Sequence, residues 1–149
     1  MSYAKQKDLP FAKEIAVEEV SSLAHRELIM KENTIAVFDI YGTWCGPCTK
    51  VAPLYGELAH KYNNPGTVLL VKEDVDRDFT KVQAVPTFQI FFRGKMTSEI
   101  KGPDMKTLEK TITDLMSQIP NVKDQEDEAS TAYLAYRKQM PDIFVDRRN

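Results

Sequence analysis

Residues Thr34 to Tyr62 read TIAVFDIYGTWCGPCTKVAPLYGELAHKY, and the fold turns on this stretch. Thr34 to Tyr41 is nearly continuous apolar sequence, the pattern of a strand covered on both faces. Further on, Cys48, Val51, Ala52, Tyr55, Leu58, Ala59 and Tyr62 recur at helical spacing, so one stripe of a helix faces a core. Pro53 inside that helix is expected to kink it. Between strand and helix lies Trp44-Cys45-Gly46-Pro47-Cys48, which holds both cysteines of the chain. Two thiols with two residues between them at a helix start can be joined or separated as a disulfide. The free N–H groups and dipole of the helix end favour a thiolate on the first thiol. The second, one turn on, can resolve a mixed disulfide.

A C-x-x-C pair is also half of a zinc site, but a structural zinc takes four ligands. No other cysteine is present, and His25 and His60 are not paired at ligand spacing. No metal is expected, and neither histidine is assigned to chemistry.

Upstream, residues 1–13 are polar, interrupted by Pro10, and read as an N-terminal extension. Glu14 to Val20 reads as a first strand. Ser21 or Ser22 then caps a short helix carrying Leu23, Leu28 and Ile29. Downstream, Asn63-Asn64-Pro65-Gly66 ends the long helix, Thr67 to Val71 is a buried strand, and Asp76 to Val85 is a connector. Thr87–Phe92 and Met96–Ile100 form a hairpin about Arg93-Gly94. Gly102-Pro103-Asp104 opens a last helix with Met105, Leu108, Ile112, Leu115 and Met116 along one side. This order predicts an α/β fold, a central mixed β-sheet flanked by helices on both faces. Residues 119–149 form a C-terminal extension. There Ala129, Ala132, Tyr133, Tyr136 and Met140 predict an extra helix over 125–140. It either docks on its own domain near Phe79 and Val82, or stays solvated or orders on a partner.

The chain of 149 residues is 42% hydrophobic, enough for one core. A net charge of −2 leaves no basic footprint for nucleic acid, and no segment approaches a membrane span. The charged first thirty residues hold no apolar run of signal-peptide length, so a cytoplasmic address is expected. Disulfides there are transient and catalytic.

Several motifs converge. Besides W-C-G-P-C, the chain has Asp39-Ile40-Tyr41-Gly42-Thr43 just upstream, Pro53 within the helix, Val85-Pro86-Thr87 downstream, and Gly94 and Gly102 beyond. Together, residues 14–118 resemble the thioredoxin family, far more specifically than C-x-x-C alone does. The resemblance implies a thioredoxin fold and an enzyme that reduces protein disulfides by dithiol–disulfide exchange. Cys45 would be the nucleophile and Cys48 the resolving thiol. No cofactor is implied beyond the Cys45–Cys48 disulfide. Electrons would come from a separate thioredoxin reductase, the substrates would be disulfide-containing proteins, and a monomer is expected. Gly46-Pro47 resembles the reducing members of the superfamily.

Asp39 is the odd residue in an apolar strand. Burial should raise its pKa toward neutrality, and the resemblance assigns it the role of proton acceptor for Cys48. A structural carboxylate, bonded to backbone or paired with Lys72, is a compatible alternative. The resemblance also implies a cis Val85–Pro86 bond that sets the Val85 backbone beside Cys45. There a substrate would add as an extended strand. Trp44, Val85, Pro86, Gly94 and Gly102 would form the docking surface, and Trp44, Gly46, Pro47, Pro86 and Lys72 would support the active site. The chain departs from the family in a connector shorter by about one helical turn, in Tyr41 for a tryptophan and in Thr49 for a lysine. Two other functions compete. A docking module whose extension selects a partner is opposed by the intact cysteine pair. A disulfide isomerase-like domain is opposed by Gly46-Pro47 and the missing signal.

Overall fold

A computed structural model describes residues 17–120. The extension 1–13, the start of the expected Glu14–Val20 strand and the expected 125–140 helix lie outside the described residues. In chain order the elements are β1 (Glu18–Glu19), α1 (Leu23–Glu32), β2 (Ile35–Tyr41), α2 (Gly46–Tyr62) and β3 (Val68–Asp74), then a 3-10 turn (Val75–Arg77). They are followed by β4 (Thr87–Phe92), β5 (Lys95–Lys101) and α3 (Met105–Met116).

The apolar run Ile35–Tyr41 takes the centre of a five-stranded mixed sheet ordered β1-β3-β2-β4-β5. It runs parallel to β3 and antiparallel to β4. β4 and β5 form the expected hairpin. Its two turn residues, Arg93 and Gly94, have φ of 54° and 85°, the left-handed pair that a two-residue hairpin loop requires.

Alternation along β2 divides the sheet into two faces. Ile35 and Val37 join Val51, Tyr55 and Leu58 of α2, Leu108 and Ile112 of α3, and Phe88 of β4 in the larger core. Ala36, Phe38 and Ile40 join Val20, Ile29 and Val71 on the other face. There the partly buried Val75, Phe79, Val82 and Val85 of the connector pack beside them. Helices therefore cover both faces, α2 and α3 on one and α1 on the other, as the sequence predicts.

Some boundaries differ from expectation. β3 continues past Val71 through Lys72, Glu73 and Asp74, because β2 beside it offers ladder partners as far as Tyr41. In α1, Ser22 is the cap, accepting the His25 N–H at 3.0 Å. Its buried residues are Arg26 and Ile29, whereas Leu23 and Leu28 are exposed. Arg26 lies buried because Glu73 and Gln89 receive its guanidinium at 2.8 and 2.6 Å, while Phe38 lies under its carbon at 4.4 Å. The connector holds one 3-10 turn in place of a longer helix.

Candidate active site

β2 ends at Tyr41, and Gly42-Thr43-Trp44 carries the chain over to the head of α2. Cys45 is the N-cap of that helix, in extended backbone conformation, and its sulfur accepts the Cys48 N–H at 3.1 Å. The helix end thus aims a backbone donor at this sulfur, which is the geometry that stabilises a thiolate. Pro47 fits the first turn because its missing N–H would have had no partner there. Cys45 and Cys48 are joined as a disulfide.

Both sulfur-bearing residues are covered, Cys45 and Cys48 being 6% and 5% exposed. The Val85 carbonyl oxygen lies 3.7 Å from the Cys45 sulfur and shields it. With no hydrogen on an oxidised sulfur, this is a van der Waals contact. The Val85–Pro86 bond is cis. Gly102 donates its N–H to the Pro86 carbonyl at 2.8 Å, tying the end of β5 to this loop. Gly46, Pro47, Lys50 and Pro103 line a cavity of about 400 Å³ beside the disulfide.

Trp44 is 66% exposed at the rim. Its indole N–H points to Asp76 at 3.3 Å, and its ring lies over Gly42, where a Cβ would come within 2.8 Å of the indole. Trp44, Val85, Pro86 and Gly102 therefore gather around the disulfide. Gly94 does not, which corrects its expected place on the docking surface. It sits in the β4–β5 turn, where neighbouring Arg93 donates to the Thr34 carbonyl at the start of β2. A full strand length separates that end of the sheet from the cysteines. This glycine is there for its positive φ, as the turn demands.

Asp39 lies on the α2 face of β2, in register with Lys72 of β3 and Phe88 of β4. It is 5% exposed, and its Oδ1 has no hydrogen-bond partner. Burial raises its pKa to about 7; Lys72 opposes the rise and Glu19 adds to it. Lys72 does not close an ion pair on Asp39. Its ammonium instead lies 3.9 Å from Glu19, over the Tyr41 ring at 5.9 Å. The Tyr41 hydroxyl donates to Glu19 at 2.7 Å. Burial and then that bond push the Tyr41 pKa up. Glu19 has no motif to mark it and was not among the expected site residues. Its one signal is a charge in a strand that pairs beside Lys72. His25 pairs with Glu18 at 2.7 Å, and His60 is an exposed residue of α2.

The thioredoxin family model matches residues 16–114. Rabbit (Oryctolagus cuniculus) thioredoxin is 37% identical over 87 residues, which are 55% of this chain and 80% of that protein. Thioredoxin-T of Drosophila melanogaster is 40% identical over 78 residues, half of this chain and 49% of that protein. Among solved structures, the oxidised mitochondrial thioredoxin 3 of Saccharomyces cerevisiae superposes with a TM-score of 0.61 at 35% identity. That match covers 66% of this chain and 95% of the yeast one. A thioredoxin of Plasmodium falciparum superposes at 0.59 and 28% identity, over 66% of this chain and 98% of that one. With the disulfide at the head of α2 and the matched fold around it, the chain belongs to the thioredoxin family and is a thiol–disulfide oxidoreductase working through Cys45 and Cys48.

Proposed function

We propose that the protein runs in the reducing direction, with Cys45 attacking, Cys48 resolving and Asp39 moving the proton. The observation that carries this order is the Cys48 N–H held on the Cys45 sulfur. In the reduced protein that donor stabilises a Cys45 thiolate. The thiolate attacks one sulfur of a substrate disulfide, an S–S bond forms between Cys45 and substrate, and the other substrate sulfur leaves as thiolate and takes a proton. Cys48 then gives its proton to the Asp39 carboxylate, directly or through water, and attacks the Cys45 sulfur. The second substrate thiolate leaves and is protonated in turn. Two electrons pass from the dithiol to the substrate, and the Cys45–Cys48 disulfide remains.

A carboxylate with a pKa of about 7 is matched to this transfer near neutral pH. The Val85 backbone beside the sulfur offers a substrate strand main-chain partners, with Trp44, Pro86 and Gly102 around it. Regeneration falls to a separate reductase of the thioredoxin reductase kind. Both cysteines sit in the redox pair, leaving none for a structural disulfide. This supports work in a reducing compartment, the cytoplasm. The isomerase-like and docking-only readings are not favoured.

The order of attack is tested by trapping on insulin. Cys48→Ser should accumulate a mixed disulfide with the substrate, seen as a band sensitive to dithiothreitol on non-reducing gels, and Cys45→Ser should form none. Trapping through Cys45→Ser instead would reverse the assignment.

A further inference from the structure

Three residues on neighbouring strands form one row across the α2 face of the sheet. Glu19 of β1 pairs in register with Lys72 of β3, and Lys72 pairs in register with Asp39 of β2. Lys72 therefore stands between two carboxylates and can give its ammonium closely to only one. In the structure it leans to Glu19 at 3.9 Å. Tyr41 strengthens that side by donating its hydroxyl to the same Glu19 carboxylate at 2.7 Å and setting its ring under the ammonium. Asp39 is left with an unpartnered buried oxygen.

We propose that Glu19 is a positioning residue for the exchange reaction, holding Lys72 at the β1 side of the row and so withholding the nearest positive charge from Asp39. A carboxylate denied that charge keeps its proton more readily near neutral pH. The consequence for catalysis rests on the proton-acceptor reading of Asp39 given above.

Among the described residues, the groups facing Asp39 are few. They are Lys72 from β3, Glu19 from β1, Tyr41 from its own strand and Tyr55 from α2. β4 presents the apolar Phe88. The Cys45–Cys48 pair at the head of α2 does not titrate while oxidised. Tyr55 keeps its proton, because burial raises its pKa well above the ordinary value, and donates to the Val71 carbonyl at 2.7 Å. Tyr41 is likewise neutral through the same range. That leaves the division of Lys72 between Glu19 and Asp39 as the adjustable part of the row. Glu19 and Lys72 are both half-exposed, so solvent screens the pair and the expected effect is modest.

The test is a carbon-detected NMR titration of the Asp39 carboxyl in the full-length oxidised protein. It compares wild type, Glu19→Gln, Lys72→Met and the double variant. Glu19→Gln keeps the shape and an acceptor for Tyr41 but drops the charge. It should lower the Asp39 pKa by about half a pH unit, as Lys72 turns to Asp39. In the Lys72→Met background the same change should produce less than half of that drop. An unchanged Asp39 titration in Glu19→Gln overturns the proposal. So does an undiminished drop without Lys72, which would make Glu19 a direct field and not a positioning group. The pH midpoint of mixed-disulfide resolution separates the two readings. If Asp39 shifts as expected but that midpoint does not follow it, the positioning stands and the proton-acceptor role of Asp39 fails.

Discussion

The two faces of the central sheet each bury a carboxylate, and treat it in opposite ways. On the α1 face Glu73 is 0% exposed and held by Arg26 at 2.8 Å. Arg26 in turn donates to Gln89 and lies over Phe38, and Gln89 continues to Glu99 at 2.9 Å. Each carboxylate has one buried oxygen without a hydrogen-bond partner, Glu73 Oε2 and Asp39 Oδ1, but Asp39, 5% exposed on the α2 face, closes no ion pair, because the nearby lysine is turned to another acid. A buried charge with a cation is an element of structure that ties α1, β3 and β4 together. A buried carboxyl without one keeps a proton it can exchange, which suits chemistry and costs stability. Asp39 and Glu73 occupy adjacent strands of one sheet, so the difference comes from the partner each is given.

Breaking the paired side should have the largest effect on stability. Arg26→Met leaves Glu73 buried with no cation and should cost about 3 to 5 kcal/mol in urea unfolding. Arg26→Met with Glu73→Leu should recover most of that loss, and disulfide reduction should survive in the double variant. Equal instability of the double variant would mean that packing by Arg26, and not the charge pair, holds this face.

The unpaired side should respond with the opposite sign. Folded Asp39 holds its proton up to a pH of about 7, far above its ordinary value of 3.8. The native state therefore binds the proton more tightly than the unfolded one, and Asp39 withdraws stability as pH rises from about 4 to about 7. Asp39→Asn should stabilise the fold by up to about 4 kcal/mol at pH 8, with the gain gone below about pH 4. Urea unfolding at the two pH values checks it, and a gain independent of pH would show that charge is not the cause.

Much of this contrast was only half legible in the sequence. Asp39 was legible, because one carboxylate interrupts the apolar run Thr34 to Tyr41. So were β2, α2, the hairpin and α3, each carried by a continuous or periodic apolar pattern. The Arg26 network was not. Its partners lie 47 and 63 residues away, and in sequence Arg26 looks like one more charge on a short helix. β3 outruns its apolar stretch for a related reason: Lys72, Glu73 and Asp74 break the apolar pattern, but the ladder to β2 does not depend on it. Gly94 carries two expectations, the hairpin turn read from its own neighbours and the docking surface implied by the resemblance, and its positive φ belongs to the first.

The smallest effect tests the rim, which belongs to neither face. Gly42→Ala would place a Cβ 2.8 Å from the Trp44 indole, and the exposed ring can move away. It should cost about 1 kcal/mol or less. It should also change Trp44 fluorescence and weaken substrate capture several-fold, seen as a raised KM for insulin. Unchanged fluorescence would show that the ring does not rest on Gly42 in solution.

The proton transfer proposed for the Asp39 carboxylate has a direct kinetic signature. Single-turnover resolution of a Cys45 mixed disulfide, followed from pH 5.5 to 8.5 in wild type and Asp39→Asn, tests it most directly. The wild-type rate should rise with a midpoint near 7, where Asp39 loses its proton. Asp39→Asn should be slower at pH 7 by about 100-fold, with that midpoint gone. An Asn variant that resolves as fast as wild type with the same pH profile would show that Asp39 does not take the proton.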